Sequence, residues 1–329
     1  MSQSPFENNK RIAKNTILLY IRTVITMIIG LFTSRIMLQA LGVDNYGINA
    51  LVGGIVSMTS LITGTMSNAI SRYLTYGLGE GNMDKQKKIF ATSLNAQLVI
   101  GLISIVLLES IGIWFLNVQA NIPEERMFAA NWVFQGSIFS TIIGLIAIPY
   151  NALIVAHERM TVYAYMGIID VVFRMSICYV IMLYGGDRLI LYSILLVLVS
   201  FSSLVIYILY CRYHFEESVY SLFVFDSSLL KEMTKFSGWT LLGTSAWIFN
   251  TQGSTILVNI FYGVTFNAAR GIANTVNTAI QSFVGNFTTA FTPQLTKSYA
   301  SGDIEAALKL TNRGTKFTSY VTIYGACIC

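Results

Sequence analysis

The sequence predicts an all-α integral membrane protein in which two lobes of six-helix type, oriented alike, surround a central cavity and the second lobe is incomplete. Three observations carry this prediction. Only 11% of the 329 residues are charged while 54% are hydrophobic, whereas soluble domains carry about 25% charged residues; mean hydropathy is +0.62. Apolar runs recur at a length that crosses a bilayer, about 20 residues each. The chain also overlays on itself, residues 41–82 on 262–303, without a gap at an offset of 221.

Taken in order, the apolar runs predict eight spans, near 16–41, 46–72, 89–116, 127–155, 160–184, 189–211, 236–261 and 264–292, with a ninth beginning near 317. The ninth stops at Cys329, so the chain reads as part of a longer one. The first run follows "NKRIAK" but is too long for the apolar region of a secretory signal and lacks a small-residue cleavage site, so it is expected to be retained. A cytoplasmic N-terminus puts Lys10, Arg11, Lys14, Lys85, Lys87, Lys88, Arg159, Arg212, Lys231, Lys235, Lys297, Lys309, Arg313 and Lys316 on the inner side. Arg126 and Arg188 fall outside. That asymmetry fixes the orientation by the positive-inside rule.

The long inner loop from Cys211 to Lys235 marks the boundary between lobes at 1–225 and 226–329. In the self-overlay Gly42 meets Gly263, Val43 meets Val264, Gly64 meets Gly285, Ala69 meets Ala290, Leu74 meets Leu295, Thr75 meets Thr296 and Gly81 meets Gly302. Span 7 then repeats span 1 and span 8 repeats span 2. An even number of crossings separates each pair, so the lobes are related by an axis along the membrane normal, and a path between them is lined by spans 1, 2, 7 and 8.

Those spans carry polar stripes. At about 100° per residue, Arg270, Asn274, Asn277, Gln281 and Thr288 share one face of span 8. Asn15, Arg22, Thr26 and Thr33 share one face of span 1. Asn49, Gly53, Val56, Ser60 and Ser67 are the span 2 counterparts of the span 8 stripe, and span 7 offers Thr240, Thr244, Trp247, Thr251 and Ser254. Hydroxyls and small residues also suit ordinary helix packing. A guanidinium with a row of amides is harder to explain that way, because a charge at the bilayer centre costs about 2.5–3.5 kcal/mol unless it faces a cavity or a partner. Arg22 and Arg270 are therefore expected to face each other across a watered gap that prefers an anion, since guanidinium forks match phosphate oxygens and stay charged.

Other ionisable residues have two readings each. Arg35 either snorkels to the headgroups or lines the cavity, and Arg72 either sits at the cavity mouth or anchors its helix. Asp170 and Arg174, spaced i, i+4, are expected to pair. Glu109 is a candidate site for a coupling proton or sodium ion. Cys178, Cys211, Cys327 and Cys329 show no pairing pattern and read as free thiols. "AHERM" at 156–160 opens like a zinc-protease helix, but Thr161 stands where the second histidine would be. No metal or cofactor is expected, nucleotide-binding loops are absent from the sequence, and the charge of +5 falls between apolar runs rather than on one basic face, which argues against nucleic acid.

With "LGVDNYGINALVGGIV" after an arginine-bearing first span and "PYNALIVAHERM" closing the fourth, the sequence resembles the multidrug/oligosaccharidyl-lipid/polysaccharide (MOP) exporter superfamily over essentially its whole length. It looks most like the bacterial lipopolysaccharide and O-antigen flippases. The resemblance implies twelve to fourteen spans in a bacterial inner membrane, a cationic cavity, alternating access, and no enzymatic activity. The implied cargo is an undecaprenyl-diphosphate-linked oligosaccharide moved from the cytoplasmic to the periplasmic leaflet. The cationic role carries onto Arg22 and Arg270, then onto Arg35, Arg72 and Arg174. A cation-coupled drug exporter of the same superfamily, a membrane-embedded glycan polymerase or ligase, and a non-transporting scaffold are the alternatives.

Overall fold

The computed structural model describes the backbone of residues 5–57, 59–120, 122–218 and 226–328. Within these it describes the side chains except at 5–11, 31, 43, 50, 57, 60–62, 119, 247–280, 283 and 321–328. The described chain is helical. It runs through α1 (Pro5–Leu41), α2 (Val43–Ser57), α3 (Ser60–Glu80), α4 (Met83–Leu107), α5 (Glu124–Ala156), α6 (Met160–Leu183), α7 (Arg188–His214), α8 (Ser227–Ala300) and α9 (Ile304–Ile328). Five segments among the described residues are long and apolar enough to cross a membrane: Ile12–Leu41, Met83–Val118, Glu124–Ala156, Met160–Leu183 and Arg188–His214. Large apolar side chains stand exposed on their outer faces, with Leu183 90% exposed and Phe128 69%. Such faces suit lipid rather than water. The protein is a multi-pass membrane protein.

Two expectations about the spans need correction. The run at 46–72 is two helices rather than one. The break falls after Ser57, where Thr59 turns its amide and its hydroxyl back onto the Val56 carbonyl, at 3.1 and 2.8 Å. The second correction concerns only the break expected between the runs at 236–261 and 264–292, which belong to one helical element of 74 residues. Straight, its Phe236 and Thr292 would lie roughly 84 Å apart at about 1.5 Å per residue, yet both line one cavity beside Arg72. The two ends of α8 therefore run side by side and the chain reverses between them, as two spans require. The last helix also starts earlier than expected, at Ile304.

The self-overlay reappears in the geometry. Gly81 and Gly302 both adopt the left-handed backbone, with φ of 72° and 82°, a conformation that residues with a β-carbon avoid. Next along the chain, Asn82 caps α4 by accepting from the Lys85 amide at 3.0 Å, and Asp303 caps α9 by accepting from the Ala306 amide at 3.0 Å. Each of these positions is separated from its counterpart by the same 221 residues, so α3–α4 and α8–α9 are joined by equivalent turns.

Two apolar cores hold the bundle, the first of them taking in Met233 of α8. One, around Phe90, Tyr150, Leu153 and Met66, lies toward the end of the bundle that bears Gly81; the other, around Phe134, Val133, Leu116 and Ile181, lies toward the opposite end. Close helix approach depends on small residues: the Phe134 ring sits where Gly112 has no side chain, and the Ser193 hydroxyl fills the equivalent space at Gly136. At the end of α4, π-helical turns at Leu108–Gly112 and Phe115–Gln119 extend the helix beyond its regular part.

Candidate substrate cavity

A cavity of about 600 Å³ opens between α3, α5 and the two ends of α8. One wall is a single face of α3, carrying Ser67, Asn68, Ser71, Arg72 and Thr75 at the i, i+1, i+4, i+5, i+8 spacing of a helical stripe. The facing wall is Thr288, Thr289, Thr292, Pro293 and Thr296 of α8. Position by position, these are the counterparts of the α3 stripe at the offset of 221. Asn151 and the small or apolar face of α5, with Tyr163 of α6 and Phe236 of α8, complete the enclosure.

The chemistry of the walls follows from where their protons point. Thr75 donates to the Ser71 carbonyl at 2.7 Å, Thr288 to Val284 at 3.0 Å and Thr289 to Gly285 at 2.9 Å. With its proton committed to the helix, each of these threonines offers only oxygen lone pairs to a guest. Donors come instead from Arg72, Asn68 and Asn151. The Arg72 guanidinium lies over the Phe236 ring, 4.6 Å from its centroid, a stacking geometry that leaves the edge of the fork free for an anion. No carboxylate lines this cavity among the described residues.

Of the expected arginine pair, Arg22 is described and Arg270 lies outside the described side chains. Arg22 stands behind Tyr163, with its guanidinium 4.4 Å from the ring centroid and seated in the space left by Gly167. Its Nε is buried without a hydrogen-bond partner. It thus backs the cavity through Tyr163 instead of standing in its wall, because α1 packs on α6 here. Arg270, Asn274, Asn277 and Trp247 lie outside the described side chains. Gln281 is exposed, as is Arg35.

Thr26 bonds its own helix at Thr23, 3.1 Å; Thr23 in turn accepts from Asn286 of α8 at 2.7 Å. That α1–α8 link was not anticipated; the amide of Asn286 within an apolar run was its signal. Asn49 sits beside Tyr192, in the other core, and Gly53 and Val56 line a separate cavity of about 330 Å³ with Thr59 and Ser140. The α2–α3 break divides the predicted span 2 stripe; Ser67 lines the large cavity, and the Ser60 side chain lies outside the described residues. Asp170 and Arg174 do pair, at 2.8 Å, and Asp170 also accepts from Ser203 at 3.3 Å. Glu109, in the first π-helical turn, accepts from Gln135 at 3.2 Å. Cys178 and Cys211 are free and buried.

No protein-family model matches the chain. Among solved structures it is similar to an outward-facing multidrug-resistance MATE transporter of the MOP superfamily, with a TM-score of 0.79, 14% identity, and coverage of 98% of this chain and 71% of that one. The fold is that of the MATE transporters. A Vibrio cholerae MATE transporter gives a TM-score of 0.79 at 13% identity, covering 98% of this chain and 73% of that one. A MOP-superfamily transporter from Pyrococcus furiosus, described as having a binding pocket of reverse polarity that suggests a different function, gives 0.77 at 14% identity, covering 96% and 70%. A curated relative, the uncharacterized membrane protein EpsK of Bacillus subtilis, is 18% identical over 298 residues. That match takes in 89% of this chain, which spans 58% of the relative's length. In this MATE-type fold the large cavity lies between α1–α7 and the following helices.

Proposed function

We propose that the protein is a transporter of the bacterial inner membrane, N-terminus in the cytoplasm, that moves an undecaprenyl-diphosphate-linked oligosaccharide from the cytoplasmic to the periplasmic leaflet. Residues 1–225 form the first lobe and 226–329 part of the second. The observation that carries this reading is the polarity of the cavity: a guanidinium, amides and acceptor hydroxyls, with no carboxylate among the described lining residues. A fixed cation in a low-dielectric enclosure favours an anionic guest. Diphosphate oxygens meet Arg72, Asn68 and Asn151, sugar hydroxyls donate to the threonine oxygens, and the polyprenyl tail stays in the lipid. Arg22, with an unsatisfied buried donor one ring behind the wall, adds to the positive field. Arg270, Asn274 and Asn277 belong to the same site in this reading.

An inside-negative potential supplies about 2.3 kcal/mol per charge per 100 mV, so outward movement of a doubly charged headgroup needs neither nucleotide nor, in principle, a coupling proton or sodium ion. The MATE-type fold equally fits a drug exporter, and one experiment separates the two. In cells whose only copy is Arg72→Ala or Arg22→Ala, surface glycan is expected to be lost while drug susceptibility is unchanged, with the lysine variants retaining part of the export. Normal glycan together with altered drug susceptibility would overturn the proposal.

A further inference from the structure

The sequence "AHERM" has no role in the cavity itself, yet it forms a strained joint at one end of it. Beyond α5 the chain closes with the His157 amide bonded to the Leu153 carbonyl, the Glu158 amide to Val155 and the Arg159 amide to Ile154, at 2.9–3.0 Å. This helix-ending turn requires a left-handed residue, and glycine normally supplies it. Here Glu158 holds φ at 58°, the one non-glycine residue with positive φ among those described.

What the turn obtains in exchange is the position of its side chain. The Glu158 carboxylate is buried, with its side chain 2% exposed, and crosses to α8, where it accepts from Gln294 at 2.9 Å and from Lys297 at 3.0 Å. Gln294 and Lys297 flank Thr296 of the cavity wall, and Val155, which lines the cavity from α5, lies about one turn before Glu158. At this level α3 and α8 also meet: a β-carbon on Gly79 would lie 2.6 Å from that of Ala300 and 3.0 Å from the Lys297 carbonyl. His157 faces the other way, bonding Glu217 at 2.5 Å and stacking on Phe215, and so fixes the turn to the end of α7.

We infer that Glu158, Gln294 and Lys297 form a latch that closes the cavity on the face that also bears the N-terminus, and that breaking it opens that face. The inference rests on the transporter reading but not on its cargo, because access can be measured whatever is carried. Strained residues persist where surrounding contacts over-determine them and cluster at switch regions. A carboxylate kept at a glycine position for the sake of a bridge between two helix groups fits that pattern. At the positions of Gln294 and Lys297 the first half of the repeat carries Tyr73 and Tyr76.

The test uses the full chain in membrane vesicles, with Ser71→Cys as a reporter on the cavity wall and Cys327 and Cys329 replaced by serine. Cys178 and Cys211, both fully buried, remain as internal controls. Glu158→Gly removes the carboxylate while giving the turn its preferred residue, and Lys297→Met breaks the bridge from the other side. A membrane-impermeant maleimide applied to the face of the N-terminus should label the reporter about tenfold faster in either variant, the factor that corresponds to about 1.4 kcal/mol lost from the closed state. Rates equal to the parent's in both variants would overturn the latch. So would faster labelling of Cys178 and Cys211 alongside the reporter, which would make the bridge a general structural brace.

Discussion

Gly167→Ala is the perturbation that most directly tests how Arg22 is held. A β-carbon at this position lies 2.6 Å from Arg22 Nη2 and 2.8 Å from Cζ. Unstrained contact needs about 3.5 Å, so the guanidinium must retreat by roughly 1 Å. Retreat weakens the stacking on Tyr163, worth about 0.5–1 kcal/mol at exposed sites and about 2 where water is excluded, and that loss is part of an overall overpacking cost of about 1–3 kcal/mol. Against this, alanine in a helix interior gains about 1 kcal/mol over glycine. In the parent the substitution should therefore be neutral to destabilising by about 2 kcal/mol. In an Arg22→Ala background the obstruction is gone and the same substitution should stabilise by about 1 kcal/mol. Unfolding in mixed detergent micelles, measured on all four members of the cycle, gives a coupling of about 1–3 kcal/mol if the geometry is right. Effects of Gly167→Ala that agree to within about 0.5 kcal/mol in the two backgrounds would refute the seating of Arg22 over this glycine.

Two further outcomes follow from the same geometry. Gly112→Ala drives a β-carbon to 2.5 Å from the buried Phe134 ring, whereas at Gly101 the nearest atoms lie at 3.8 and 3.9 Å. The first should destabilise by about 1–3 kcal/mol and the second stabilise by up to about 1 kcal/mol, and the reverse order in detergent melts would contradict the packing of α4 on α5. For Glu217, burial pushes the carboxyl up, but the hydrogen bond from His157, its own backbone amide and the charges of His157 and Lys87 outweigh it and hold the group below its ordinary 4.5. A depressed acid stabilises the fold above pH 4.5 and loses that contribution as pH falls through its lower folded-state value. Glu217→Gln should accordingly flatten the acid limb of a stability–pH curve, and an unchanged limb would count against the His157 pairing.

Much of the architecture was legible in hydropathy alone, because five of the expected runs needed only length and low charge to be recognised. The repeat was legible for a different reason: glycine and asparagine or aspartate at a turn are chemical requirements, so Gly81, Asn82, Gly302 and Asp303 preserve the register that apolar residues blur. The interruption of span 2 near Thr59 was not legible. There the Thr59 hydroxyl folds back on the Val56 carbonyl, and threonine in an apolar run gives no warning of that. The position of Arg22 behind the wall, and the choice between mouth and anchor for Arg72, were not legible for a similar reason. A helical wheel gives the face on which a residue sits, but it contains nothing about Tyr163, whose ring stands between Arg22 and the cavity. Glu158 was concealed further still, since its importance lies in a backbone angle that no residue pattern announces.

Pro293 occupies the position of Arg72 in the second half of the repeat, and the exchange of a side-chain cation for an imino acid alters more than charge. Lacking an amide hydrogen, Pro293 cannot serve the carbonyl of Thr289 one turn earlier, and both residues belong to the cavity wall. A protein that arose by doubling could thus differentiate its two sides by separate means. One is tuned by a long, replaceable side chain, the other by an interruption in main-chain bonding that persists whatever the neighbouring side chains become. If the cavity carries the proposed cargo, selectivity for related guests should for that reason drift through substitutions on α3, while α8 retains the geometry against which each new guest is measured.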